Sequence, residues 1–252
     1  MCKEKSSKFE VFSNGFVKIT KENADIAKSQ IDNDPFYKKA FDKNNNGTSA
    51  YMFEHQEYNE KLIKRVNTEN STRLSKNDIE IVAGNIKKVN INLNNENLDL
   101  DYNVLTEVYD NCSRTLLSFA SKYCHFYLLH RKGEKAADKF PIIDSIMRKV
   151  IPIYDYLYNS DKDEYSKYKT ESNLYKYRTA EYKDIQPSVI EYYKDYFNAL
   201  NGIKDAVNGK TTEEKEKITV TEIEQLLWWF YKGIADEVDD IKKEAREDIE
   251  KS

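Results

Sequence analysis

A chain of 252 residues is long enough to bury a core as one large domain or two small ones. Glycine and proline are scarce, at 7 and 4 residues, which favours a mostly helical protein and argues against a parallel sheet with its many tight turns. Aromatic residues make up 13% of the chain, which excludes disorder throughout, and a formal net charge of −4 provides no global positive field for nucleic acid.

The cysteines and the apolar runs indicate the compartment. Three cysteines, Cys2, Cys112 and Cys124, are an odd and scattered set that follows no secretory leader pattern. No apolar run approaches the roughly 20 residues that a membrane-spanning helix needs. We therefore expect free thiols, a cytoplasmic location and no membrane association.

The N-terminal residues carry little helical periodicity. Residues 1–50 alternate polar residues with a few apolar ones and contain the turn sequence at 44–47, so we expect a loosely structured extension. Residues 51–252 are predicted to form one helical domain of roughly eight or nine helices. From Ala50 to Val89 the pattern predicts two helices, the second beginning after an N-cap at Ser75 with Asp78 in its first turn.

A hairpin-like segment is expected at 104–150. Apolar residues recur there at helical spacing from Val104 onward. Leu116 to Val150 is interpreted as a helix, a sharp turn and a second helix beginning near Ser121. A basic loop and an extended stretch at 140–143 follow, and Asp144 opens the next helix. Pro152 is expected to kink or restart that helix.

The C-terminal third contains three further patterns. Tyrosine alternates with lysine and arginine between 165 and 183, which suits either base stacking or packing on a helical core. Residues 202–217 are predicted to form a polar connection between helices, and their glycines lack the spacing of a phosphate-binding loop. Thr219 with Glu222 predicts a capping box for the last helix, where one of Trp228 and Trp229 is expected in the core and the other in a groove.

Cys112, Cys124, His125 and His130 include metal-ligand residue types, but their spacing lacks the short ligand pairs of zinc sites. We expect buried free thiols and core histidines there, with no metal and no cofactor.

The middle of this acidic chain is basic. Between Cys112 and Val150 there are eight basic and three acidic residues, a local charge of +5. Such a segment favours contact with phosphates.

Two stretches carry a family resemblance, Phe119-Ala120-Ser121-Lys122 and Pro141-Ile142-Ile143-Asp144-Ser145-Ile146-Met147-Arg148. They resemble the catalytic-lysine and catalytic-aspartate segments of helix-hairpin-helix DNA glycosylases, especially the 8-oxoguanine DNA glycosylase branch. The Leu-Leu-Trp-Trp-Phe run near the C-terminus is similar to the closing helix of small prokaryotic members. The family's hairpin glycines are replaced here by Ser118, Phe119 and Ala120.

The resemblance implies an all-α helix-hairpin-helix fold and a DNA base-excision glycosylase, with or without lyase activity. Lys122 would be the amine nucleophile, and Asp144 would stabilise the oxocarbenium-like sugar when the N-glycosidic bond breaks. The implied partner is duplex DNA with a flipped base. The residues that would contact its backbone are Ser121, Arg131, Lys132, Arg148 and Lys149. The aromatic residues predicted to hold that base are Tyr123, Phe126, Tyr127, Trp228 and Trp229.

Two alternatives remain open. Asp144 also suits an ordinary N-cap, and Lys122 an ordinary solvated lysine, so the chain also fits a non-catalytic helical binding module that retains the scaffold. The charged last helix also suits a structural role with a protein partner.

Overall fold

The computed structural model describes residues 8–12, 15–40, 42–94, 102–159 and 186–232. Over these residues the chain is all-α, with no strand and one isolated bridge between Val11 and Val17. The described helices are α1 Lys21–Asn33, α2 Pro35–Ala40, α3 Ser49–Glu54, α4 Glu60–Glu69, α5 Lys76–Asn94, α6 Asn103–Val108, α7 Leu117–Lys132, α8 Glu134–Ala137, α9 Ser145–Asn159, α10 Gln186–Asn208 and α11 Val220–Tyr231. The all-α prediction is therefore confirmed, with eleven α-helices in the described ranges.

The chain divides into two compact units, each made of separate stretches of sequence. The first unit comprises Met1–Asp32, Asp144–Arg178 and Asn198–Ser252. The second comprises Asn33–Ile143 and Thr179–Phe197.

The core of the first unit includes residues from the predicted N-terminal extension. Phe16 and Val17 are fully buried, and the Tyr154 hydroxyl donates to the Val17 carbonyl at 2.7 Å. The Asn23 side chain donates to the Glu10 and Lys18 carbonyls, both at 2.8 Å, and accepts from the Glu10 amide. Residues 8–12 and 15–19 are thus held by tertiary contacts and by the Asn23 side chain, although their sequence lacks a helical period.

Helix α7 is largely buried within the second unit. Eleven of its residues between Leu117 and Leu128 are buried, which is expected of a helix that is apolar on nearly every side. Phe53 of α3 packs against Tyr123 and Tyr127, and the Tyr123 hydroxyl donates to Asn90 of α5 at 2.9 Å. Helix α7 therefore contacts the helices before it in the chain along most of its length.

The sharp turn predicted near Ser121 is wrong, because α7 continues without a break from Leu117 to Lys132. The chain turns instead before Leu117, where Asn111 has a φ of +63°. Serine, phenylalanine and alanine at 118–120 all adopt helical backbone angles without strain, so the stretch propagates the helix.

The other local predictions concern helix caps and helix bounds. The capping interactions at Ser75 with Asp78 and at Thr219 with Glu222 are both confirmed. The first predicted helix after Ala50 is two helices, α3 and α4. Helix α9 runs through Pro152, and α10 extends to Asn208 into the predicted connection at 202–217.

Candidate functional site

Lys122 lies in the second turn of α7 and is 9% exposed. Its ammonium donates to the main-chain oxygen of Asn70 at 3.3 Å. Asn70 is the C-cap of α4, where the last carbonyls of the helix have no partner within it. Lys122 therefore places a positive charge at the negative end of a neighbouring helix.

Arg131 and Lys132, predicted to contact DNA phosphates, repeat this arrangement at the other end of α7. Arg131 Nη1 donates to the carbonyl of Glu54, the last residue of α3, at 3.4 Å. Lys132 Nζ donates to the carbonyl of Leu93, in the last turn of α5, at 2.9 Å. Three cations of α7 thus lie at the carbonyl ends of three different helices, while Arg131 and Lys132 also remain exposed.

Asp144 is the residue before α9 and is 8% exposed. Its Oδ1 accepts hydrogen bonds from the amides of Ile146 and Met147, each at 2.9 Å. The predicted N-cap is therefore confirmed, and the extended stretch at 140–143 leads into it as expected.

Lys122 belongs to the second unit and Asp144 to the first. The predicted meeting of the amine and the carboxylate across one hollow stays a prediction.

The aromatic residues that flank Lys122 lie in the core of the second unit. Tyr123 and Tyr127 are almost fully buried, and Phe126 is 7% exposed. Burial raises the pKa of the Tyr123 hydroxyl well above its ordinary value, against the opposing effect of its hydrogen bond to Asn90. In this structure these rings pack against other core side chains.

Trp228 and Trp229 belong to the first unit and are both partly exposed. Their ring centroids lie 6.4 Å apart, and the Lys232 ammonium lies 4.9 Å from the first ring and 5.7 Å from the second. The expected division into one core and one groove tryptophan is not observed, since both rings are accessible beside a cation.

The remaining predicted DNA contacts differ in accessibility. Ser121 is fully buried, and its hydroxyl accepts from the Ile143 amide at 3.2 Å, so this position is closed to a phosphate. Arg148 and Lys149 lie partly exposed on α9. The tyrosine-rich stretch at 165–183 lies outside the described residues.

Cys124 and His125 lie in the core as expected, whereas Cys112 and His130 are partly exposed. Cys124 is buried as a free thiol, and His125 Nδ1 lies 3.1 Å from the Phe140 carbonyl. Burial lowers the pKa of His125 to about 4 and raises that of Cys112 to about 11. In the described part of the chain, no three histidine, cysteine or acidic side chains are grouped as metal ligands.

No protein-family model matches this chain, and neither a curated protein nor a solved structure matches it. The glycosylase resemblance therefore depends on the quoted residues alone.

Sequence reasoning missed a shallow groove of about 650 Å³ in the first unit. It lies between α1 and the short 3-10 helix Glu214–Glu216, and it is lined by charged and polar side chains that include Lys21, Asp25 and Gln30. No motif marks these residues, so nothing in the sequence pointed to the groove. Within the described residues, no helix meets the length and apolarity needed to span a bilayer.

Proposed function

We propose that this chain is a non-catalytic helical interaction module. The observation that supports this most strongly is the placement of Lys122, whose ammonium is directed at the Asn70 carbonyl. An amine nucleophile must instead be directed at the carbon it attacks. Arg131 and Lys132 make the same kind of contact at α3 and α5, so one structural role explains all three cations.

The packing around Lys122 favours the same conclusion. A flipped base needs an aromatic-walled space beside the nucleophile. Tyr123 and Tyr127 instead pack against Phe53, and the Tyr123 hydroxyl is bonded to Asn90. These side chains stabilise the second unit.

The two partly exposed tryptophans of α11 indicate that the partner of the module is a protein. Trp228 and Trp229 present two partly exposed indole rings with the Lys232 ammonium beside them. Tryptophan is enriched among the residues that dominate protein interfaces, and a cation beside an aromatic ring adds affinity once water is excluded.

A photo-crosslinking residue at position 229 should yield one discrete adduct in cells, and the same residue at Glu213 should not. Equal labelling at both positions would contradict a contact through α11.

A second candidate function, a DNA base-excision glycosylase, is favoured by the position of Asp144. This carboxylate opens a helix directly after an extended stretch, as the resemblance implies. In that function Lys122 attacks the anomeric carbon, the base leaves, and Asp144 stabilises the developing positive charge. Duplex DNA with a flipped base is the partner, and Arg131, Lys132, Arg148 and Lys149 contact its backbone.

Strand nicking and binding separate the two functions. The full chain is incubated with duplexes that each carry one oxidised, alkylated or deaminated base, and binding is measured at low salt, where phosphate contacts are strongest. The interaction module predicts no nicking, and affinity that is the same in the wild type and in Lys122→Gln. Nicking that disappears in Lys122→Gln would establish the glycosylase and overturn the module.

We also propose a cytoplasmic location. Cys112 and Cys124 are free thiols in the structure, and a reducing compartment keeps such thiols unpaired.

A further inference from the structure

His130 occupies an aromatic slot between α3 and α7. Its ring stacks on Phe53 of α3 with centroids 5.7 Å apart and planes 18° apart, and it lies 6.4 Å from the ring of Phe126. Both ring nitrogens are buried, and neither has a hydrogen-bond partner within the described residues. A neutral imidazole tolerates this setting far better than a charged one, because a buried cation needs acceptors.

The charged groups around His130 give little compensation for a proton. Lys43, in the loop before α3, and His125, on α7, both oppose a positive charge, while Glu54 of α3 favours it. Glu54 is 43% exposed at its side chain and also pairs with Lys43 at 3.4 Å. Burial is the largest influence, and together with Lys43 it lowers the pKa of His130 to about 4.

We propose that His130 is an acid-sensitive latch that holds α3 on α7 while it is neutral and releases α3 when it is protonated. Release lets water reach the imidazole, where its charge is solvated. The same movement separates Phe53 from Tyr123 and Tyr127 and exposes an aromatic face of α7. This inference is independent of the proposed function.

The test measures hydrogen exchange by mass spectrometry on the full chain at pH 7.5 and pH 5.0, with rates corrected for the intrinsic effect of pH. If opening returns His130 to its ordinary pKa of 6.5, a pKa of about 4 in the closed form implies that protection of α3 falls by about 30-fold at pH 5.0. In His130→Phe, whose ring does not titrate, protection of residues 49–55 should change less than about two-fold.

Two further variants keep the test decisive. His130→Gln removes titration without an aromatic ring, so it reports on the latch if the phenylalanine variant folds poorly. His55→Gln alters the exposed histidine at the C-cap of α3 and should keep the wild-type drop. The latch is contradicted if wild-type α3 keeps its protection at pH 5.0 or if the drop persists in both His130 variants. An equal loss over every peptide of both units would also contradict it.

Discussion

At the residue scale, Lys122, Arg131 and Lys132 share one environment, the carbonyl end of a neighbouring helix. A helix ends with carbonyls that lack partners inside it, and a nearby cation both bonds them and offsets the helix dipole. Lys122 is the most buried of the three, at 9% exposed, so solvent screens its interaction least. Its contribution should therefore be the largest.

Replacing Lys122 with methionine keeps the aliphatic stem and removes the charge. We expect the free energy of unfolding to fall by about 1–2 kcal/mol, because the Asn70 carbonyl loses a charged donor. Urea unfolding followed by circular dichroism measures this. Lys64→Met is the matched control, because Lys64 pairs with Glu60 on the exposed face of α4 and should change stability by less than about 0.5 kcal/mol. Equal stability of Lys122→Met and the wild type would contradict a structural role.

His125 predicts a second residue-level effect, on the pH dependence of stability. Burial lowers its pKa in the folded chain to about 4, below the ordinary 6.5, so the unfolded chain takes up the proton first. Neutral His125 therefore makes its full contribution to stability above pH 6.5. As the pH falls from 6.5 to 4, the free energy of unfolding decreases by about 3 kcal/mol.

Unfolding free energies measured every half pH unit should show this loss. In His125→Gln the decline between pH 6.5 and pH 4 should be shallower than in the wild type. Parallel curves for the two proteins would contradict the assignment to His125.

Local partners were predictable from the sequence, and distant ones were not. Asp144 caps amides two and three residues ahead, so its role follows from neighbouring residues alone. The carbonyl that Lys122 contacts lies 52 positions earlier in the chain. Residue type identifies a cation, but only the folded chain decides whether it meets a phosphate or a helix end.

At the element scale, α7 explains why the predicted hairpin is absent. A tight turn needs residues that accept unusual backbone angles, and 118–120 contains no glycine. The same residues are buried or partly buried on a helix that packs against α3 and α5. Sequence patterns located the helix starts at Ser75 and Thr219 correctly, because capping is a local interaction. The apolar pattern around α7 was ambiguous, since a helix buried on all sides shows no polar face.

Gly84 is a position in α5 where a substitution should increase stability. It is exposed in the middle of this 19-residue helix, and a methyl group added there would meet nothing within 4 Å. Gly84→Ala should raise the free energy of unfolding by about 1 kcal/mol, because alanine loses less conformational entropy in a helix. Thermal unfolding measures this, with Gly133→Ala as a contrast. Gly133 has a φ of +87°, so alanine there should destabilise. A lower stability of Gly84→Ala would contradict the conclusion that a methyl group at this position has open space around it.

At the scale of the whole molecule, each unit is built from stretches that are distant in sequence. The N-terminal residues belong to the first unit, where Phe9 packs edge-on against Phe230 and Val17 accepts from Tyr154. A single-sequence pattern cannot reveal this, because residues 8–19 supply only a few apolar side chains and their partners lie more than 130 positions away.

Deleting residues 1–20 should therefore destabilise the first unit. Removal of Phe16 and Val17 opens the core and takes away the Val17 carbonyl to which the Tyr154 hydroxyl donates. The free energy of unfolding should fall by several kcal/mol, on the order of the effect of two large-to-small core substitutions. Hydrogen exchange should show faster exchange in α9 and α11 than in the full chain. Unchanged exchange in both helices after the deletion would contradict a structural role for this segment.

The most direct measurement of a non-catalytic role is borohydride trapping on lesion-containing duplex DNA. An amine that attacks the sugar forms a Schiff base, which borohydride reduces to a stable covalent complex. We expect no trapped complex from the wild type or from Lys122→Gln on any duplex of the lesion panel, because the Lys122 ammonium is bound to the Asn70 carbonyl. A wild-type complex that disappears in Lys122→Gln would contradict the interaction module and identify Lys122 as a nucleophile.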